Sequence, residues 1–199
     1  MNTLADLVAD GRERDGTAID ARQRTAPYSY RELCTNVWKA ANLVGHYGTH
    51  PGSEVAVVPG PKDADAADWP ETCGHIDSAD PVLAALGATL RGATVTMTPD
   101  QPVEARVLVL PAGWHEVFDT APQCSVLAYG GPPEDPAAVH FEAELWSENP
   151  TEPPEQVDPD TPALRAGGTT YTHGNLVTAA ERVADSHGLD ESSRVGLAA

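Results

Sequence analysis

Pro51-Gly52-Ser53-Glu54-Val55-Ala56-Val57-Val58 is the stretch on which the fold turns. Pro-Gly reverses the chain, and the run of small and β-branched residues behind it reads as a buried strand. Buried strands of this kind belong to largely parallel sheets whose faces are covered by helices.

Working upstream, Leu33, Val37, Ala40, Ala41 and Val44 recur at helical spacing as far as Gly48. Ser29 stands at the N-cap of that helix with Glu32 three residues on, the spacing of a capping box. Residues 17–21 alternate like a strand. Leu4, Leu7 and Val8 give a short helical stripe closed by Gly11.

Downstream, residues 60–80 are rich in Pro, Asp and Gly and carry no period, which predicts a loop or surface insertion. Pro81 suits the first turn of a helix running to Leu90 and ended by Gly92. Strands are predicted over 94–97, 107–110, 125–128 and 139–146. Residues 147–162 hold five prolines and five acids and read as a linker. After it come an extended segment over 163–170, a helix from about 172 to 187 and a last strand over 194–197. The alternation of helices and strands predicts a layered α/β fold: a subdomain over 1–146, the linker, and the start of a second subdomain over 163–199. The chain stops in the middle of a strand, the look of an unfinished domain.

Thirty acidic residues face twelve basic ones, a formal net charge of -18. Nucleic acids and anionic membranes are held by clustered Lys and Arg, so both are excluded as partners. Only Lys39 and Lys62 are lysines. Abundant acid with almost no lysine is the habit of proteins working in molar salt, where a Debye length of about 3 Å screens self-repulsion. No apolar run is long enough to span a bilayer. The first residues lack the basic cap and apolar stretch of a signal peptide. Cys34, Cys73 and Cys124 are odd in number and scattered, which fits a reducing cytoplasm.

Ala166-Gly167-Gly168-Thr169-Thr170 is the stretch best suited to chemistry. Paired glycines let backbone amides approach an anion, threonine hydroxyls add donors, and a helix start behind them adds its dipole. An ordinary turn is the competing reading. Around it, Asp158-Pro159-Asp160-Thr161-Pro162-Ala163-Leu164 leads in and Thr172-His173-Gly174-Asn175-Leu176 leads out. That order resembles the adenylate-forming ligases, the AMP-binding acyl-CoA synthetase family. Three further matches fall in the family's order: Tyr28-Ser29-Tyr30-Arg31-Glu32-Leu33, Pro51 to Val57, and Ala84-Ala85-Leu86-Gly87 through Gly92-Ala93-Thr94-Val95 to Pro99.

The resemblance implies an incomplete N-terminal lobe of such a ligase, with Gly167, Gly168, Thr169 and Thr170 as the nucleotide-binding residues. Full family activity would couple a carboxylic acid to ATP, release pyrophosphate and pass the acyl group to coenzyme A. The departures are as telling. The family's loop continues into Gly-x-Pro-Lys-Gly, whereas Thr170 runs straight into Tyr171-Thr172-His173. The family's acyl-pocket aromatics, its Thr-x-Glu motif for magnesium ATP, its ribose-binding Asp and its C-terminal lysine would all fall beyond Ala199. The expectation is a chain inactive alone, with at most weak ATP or AMP binding and no support for magnesium. The alternatives are a non-catalytic scaffold or one part of a split ligase, partnered by a full-length ligase or a complementary fragment.

The remaining candidates favour plain structural roles. Cys73-Gly74-His75 with Asp77 could hold zinc but lacks a second ligand pair. His46 and His50 straddle the predicted helix end at Gly48 and suit its carbonyls. Ser29 and Ser125 lack the glycines of a nucleophile elbow. Cys34 reads as core, the four tryptophans as packing, and His173 as a residue that orients the loop.

Overall fold

The computed structural model describes residues 1–21 and 26–196. Helix α1 (Leu4–Gly11) opens on a reciprocal cap: Thr3 Oγ1 accepts from the Asp6 amide at 3.1 Å, and the Asp6 carboxylate accepts from the Thr3 amide at 3.0 Å. Strands β1 (Thr17–Ile19) and β2 (Tyr28–Ser29) form a small antiparallel pair. Helix α2 (Tyr30–His46) begins at Ser29, whose hydroxyl accepts from the Glu32 amide at 3.1 Å, as the spacing predicts. Cys34, in its first turns, is buried as a core residue.

The remaining elements are β3 (Glu54–Val57), α3 (Asp80–Leu90), β4 (Thr94–Thr96), β5 (Val107–Pro111), β6 (Ser125–Tyr129), β7 (Val139–His140), α4 (Phe141–Ser147), β8 (Pro162–Ala166), β9 (Thr169–Thr172) and α5 (His173–His187). The main sheet has seven strands in the order β7-β6-β5-β3-β4-β8-β9. Every pairing is parallel except β8 with β9. The fold is therefore the layered α/β arrangement with a largely parallel sheet and flanking helices.

The core follows from the period of two along the strands. Val55, Val57, Val107 and Val109 join the cluster that includes the buried faces of α2 and α3. The two helices cross so closely that a Cβ on Gly87 would lie 2.7 Å from the Ala41 backbone nitrogen, so only glycine fits there. Ala56, Val58, Leu108 and Leu110 face the other way and pack with Trp114 and Phe118.

Residues 60–79 form a loop with one short helical turn over Ala66–Asp68, as predicted, but the loop packs on that second face instead of standing off the surface. Ala64 is buried against the sheet, and Trp69 stands edge-on to Trp114 and Phe118 at centroid distances of 5.2 and 5.0 Å. The Trp114 indole nitrogen donates to the Asp65 carbonyl at 2.8 Å. Isolated anchors in an aperiodic segment leave no hydrophobic pattern, yet this segment helps form the second covering layer.

Two further elements differ from expectation. Residues 139–146 are a strand only over Val139–His140, after which the chain turns into α4 with Phe141 and Leu145 buried at helical spacing. Residues 194–196 form no strand, and Leu197 lies outside the described residues.

The Pro-rich stretch 147–162 is strapped to the body. The Asn42 side-chain amide donates to the carbonyls of Asn149 and Thr151 at 3.0 and 2.9 Å, and Arg91 pairs with Glu155 at 2.7 Å. Strand β8 then enters the same sheet beside β4, with Leu164 opposite Val95. Among the described residues, no helix is long and apolar enough to cross a membrane.

Candidate functional site

Gly167 and Gly168 are the two-residue turn of the β8–β9 hairpin, where the sequence suggested one extended segment. Both have positive φ, 56° and 76°, as the tight turn joining such strands requires. Thr169 and Thr170 lie in β9, opposite Ala166 and Arg165. In a two-residue hairpin the closing pair exchanges both backbone hydrogen bonds, so Ala166 and Thr169 occupy each other's donors. All four candidate residues are exposed, and a Cβ on either glycine would meet nothing within 4 Å. They are brought together as a hairpin tip pointing into solvent.

The helix start behind them is also spoken for. The Thr172 amide donates to Asn175 Oδ1 at 3.1 Å and the Asn175 amide to Thr172 Oγ1 at 3.3 Å. The amides of His173 and Gly174 donate to the carbonyls of Thr161 and Pro159 at 3.0 and 2.8 Å. These are the donors an anion at a helix N-terminus would use. A cavity of about 410 Å³ opens nearby, but its charged side chains are Asp160 and Glu181, which oppose a phosphate.

His173 ties the start of α5 to α1. The ring is fully buried, and Nδ1 accepts from the Leu4 amide of α1 at 3.2 Å. Burial lowers its pKa below the ordinary value, against weaker opposing effects from the Thr89 backbone and Asp6.

Lys62 is occupied elsewhere, at the carboxyl ends of the strands. Its ammonium lies 2.9 Å from Asp80 and 3.0 Å from Glu142. Burial disfavours the charged ammonium, but hydrogen bonds and attraction from Asp80 and Glu142 outweigh it, so its pKa rises. Glu142 also accepts from the Gly130 amide at 2.8 Å, and the Lys62 amide donates to Asp77. The cluster ties segment 60–80 to α3, α4 and the end of β6. The sequence gives no hint of it beyond one lysine amid acids.

A second cavity, of about 380 Å³, lies outside the carboxyl ends of β3, β5 and β6. Strand order reverses between β3 and β5, and at such a switch point open α/β sheets bind ligands. Here the wall carries Asp63, Asp65, Glu116 and Glu134 beside His115. Four carboxylates make it hostile to a nucleotide.

Cys73, His75 and Asp77 do not form a ligand set: among the described residues no three of His, Cys, Asp and Glu are placed to hold a metal. All three thiols are free, and burial pushes each of them up, Cys124 to about 11, which disfavours the thiolate. His46 pairs with Glu148 at 2.7 Å, and His50 Nδ1 lies 3.0 Å from the Pro51 carbonyl, so the two histidines serve separate local contacts. Ser29 is a helix cap and Ser125 a strand residue. Trp114 is core, whereas Trp146 is 85% exposed.

Comparison with known proteins places this geometry. No family model matches the sequence, and no curated protein does. Solved structures do. A nonribosomal peptide synthetase, FmoA3, in its α-methyl-L-serine-AMP-bound form, superposes with a TM-score of 0.70 at 15% identity over 96% of this chain and 20% of its own. The long-chain-fatty-acid-CoA ligase FadD1 from Archaeoglobus fulgidus gives 0.66 at 22% identity over 96% and 40%. The N-terminal domain of FACL13 from Mycobacterium tuberculosis gives 0.69 at 14% over 93% and 47%. The chain therefore has the fold of the N-terminal portion of adenylate-forming ligases, and it spans from a fifth to about half the length of these structures.

Proposed function

We propose that this chain carries a non-catalytic form of the N-terminal portion of the adenylate-forming ligase fold, which serves as a binding module for a protein partner and does not itself activate a carboxylic acid. The observation that carries this reading is the Gly167-Gly168 turn. Where the resemblance calls for a phosphate loop with a lysine, the chain makes a two-residue reversal whose threonines are committed to a strand.

Attack on an α-phosphate is catalysed mainly by positioning and by neutralising developing charge. Neither lysine supports that. Lys62 is held between Asp80 and Glu142, and Lys39 donates to the Trp146 carbonyl at 3.0 Å. With a net charge of -18 around it, a triphosphate would meet repulsion instead of a cradle. FmoA3 holds an aminoacyl-AMP; in this chain, nucleotide contact through Gly167, Gly168, Thr169 and Thr170 is weak at most.

A pyrophosphate-exchange assay in high salt tests the reading. The purified chain should give no ATP-dependent exchange with any carboxylic acid offered, and adding it to cell extract should raise the extract's own exchange. Sustained exchange by the purified chain would show it to be an enzyme in its own right.

A further inference from the structure

Lys39, Asn42 and His46 are three and four residues apart on α2 and so lie along one face of it. All three reach the same neighbour, the acidic, Pro-rich segment that leaves α4. The Lys39 ammonium donates to the Trp146 carbonyl at 3.0 Å and the Asn42 side-chain amide to the carbonyls of Asn149 and Thr151, while His46 Nδ1 lies 2.7 Å from Glu148. Arg91, at the end of α3, continues the line. A Cβ on Gly45 of α2 would lie 2.8 Å from its guanidinium carbon, so glycine opens the space this group fills. There Arg91 pairs with Glu155 at 2.7 Å, each side chain only 15% exposed.

The grip has two parts. The contacts of Lys39 and Asn42 fall on main-chain carbonyls, which any extended segment offers. Those of His46 and Arg91 fall on carboxylates seven positions apart, which only an acidic segment offers. Of residues 149–157 Pro153 alone is buried, so the segment is held by polar contacts with little apolar packing, the condition for local release. Extended Pro-containing segments, and acidic motifs met by Arg, are recurrent peptide ligands of folded modules.

We infer that this face of α2, together with Arg91, is a recognition track for an extended, acidic, proline-containing segment of a protein partner, and that the chain's own residues 146–155 fill it in cis. The inference rests on the binding-module reading proposed above and names the chemistry of its partner. What sits on the track selects the occupant: to displace the strap, a partner segment must present main-chain carbonyls to Lys39 and Asn42 and carboxylates to His46 and Arg91 at the spacing of Glu148 and Glu155.

A synthetic peptide spanning residues 146–157 tests it, titrated by calorimetry into the full chain and its variants. Glu148→Gln with Glu155→Gln weakens the strap in cis and leaves the track intact. That variant should bind the peptide at least about tenfold more tightly than the parent, whose own strap competes at the roughly millimolar effective concentration of a tethered segment. Adding Asn42→Ala and Arg91→Met should abolish the binding, as should glutamine in the peptide at the positions of Glu148 and Glu155. If the paired substitutions unfold the chain, Glu155→Gln alone makes the same comparison with the other contacts in place. No binding by a folded strap variant overturns the track, and so does binding that survives the Asn42 and Arg91 substitutions or the glutamine peptide. Any of these failures leaves the binding-module reading standing, because that reading is tested separately by the effect of the chain on the extract.

Discussion

The backbone amide of Leu4 donates to Nδ1 of His173 at 3.2 Å, joining the first helix to the last across 169 positions of sequence. The bond needs a neutral ring, because a protonated imidazole has no lone pair left to accept with.

Stability should therefore fall as the medium becomes acidic. Burial holds the folded pKa of His173 below 6.5, so between 6.5 and that lower value the unfolded chain binds more protons than the folded one. The contribution is complete above 6.5 and is lost as pH falls through the folded value, at no more than about 1.4 kcal/mol per pH unit. Urea unfolding midpoints measured between pH 7.5 and 5 should drop more steeply for the parent than for His173→Gln. Parallel curves would remove His173 from the account.

Lys62 gives a second prediction. Asp80 is 5% exposed and relies on the lysine for its countercharge. Lys62→Met leaves that carboxylate buried and unpaired, which should cost about 3–5 kcal/mol of unfolding free energy. Lys62→Met combined with Asp80→Asn should recover much of the loss. If the double variant is no more stable than the single one, the pairing is not what holds segment 60–80 in place.

Salt supplies a third. With thirty acidic and twelve basic residues in 199, self-repulsion opposes the compact state until it is screened. The thermal midpoint by circular dichroism should rise markedly between about 0.1 M and about 3 M KCl, over which the Debye length falls from about 10 Å to under 3 Å. Equal midpoints would show that the acidic surface carries no adaptation to salt.

The elements legible in the sequence were those whose signals are local. The Ser29 cap, the apolar stripe of α2 and the buried strands β3 to β6 all stand where spacing puts them. Helix α4 was misread because Val139 and the aromatic residues after it have strand propensity, although Phe141 and Leu145 are four apart and share a helix face. Gly167-Gly168 between two short extended runs carries the ordinary signature of a hairpin, but the match of its flanks to a phosphate loop outweighed that local chemistry. The covering role of Trp69 and the partners of Lys62 rest on contacts between residues far apart in sequence, which no periodicity records.

Amide chemical shifts of Gly167, Gly168, Thr169 and Thr170 during an ATP titration in high salt test the reading of the hairpin most directly. A turn whose Thr169 amide is already bonded to Ala166, in a chain of net charge -18, should leave all four signals unmoved at millimolar nucleotide. Saturable shifts confined to those four amides would mean that the hairpin tip receives a phosphate after all.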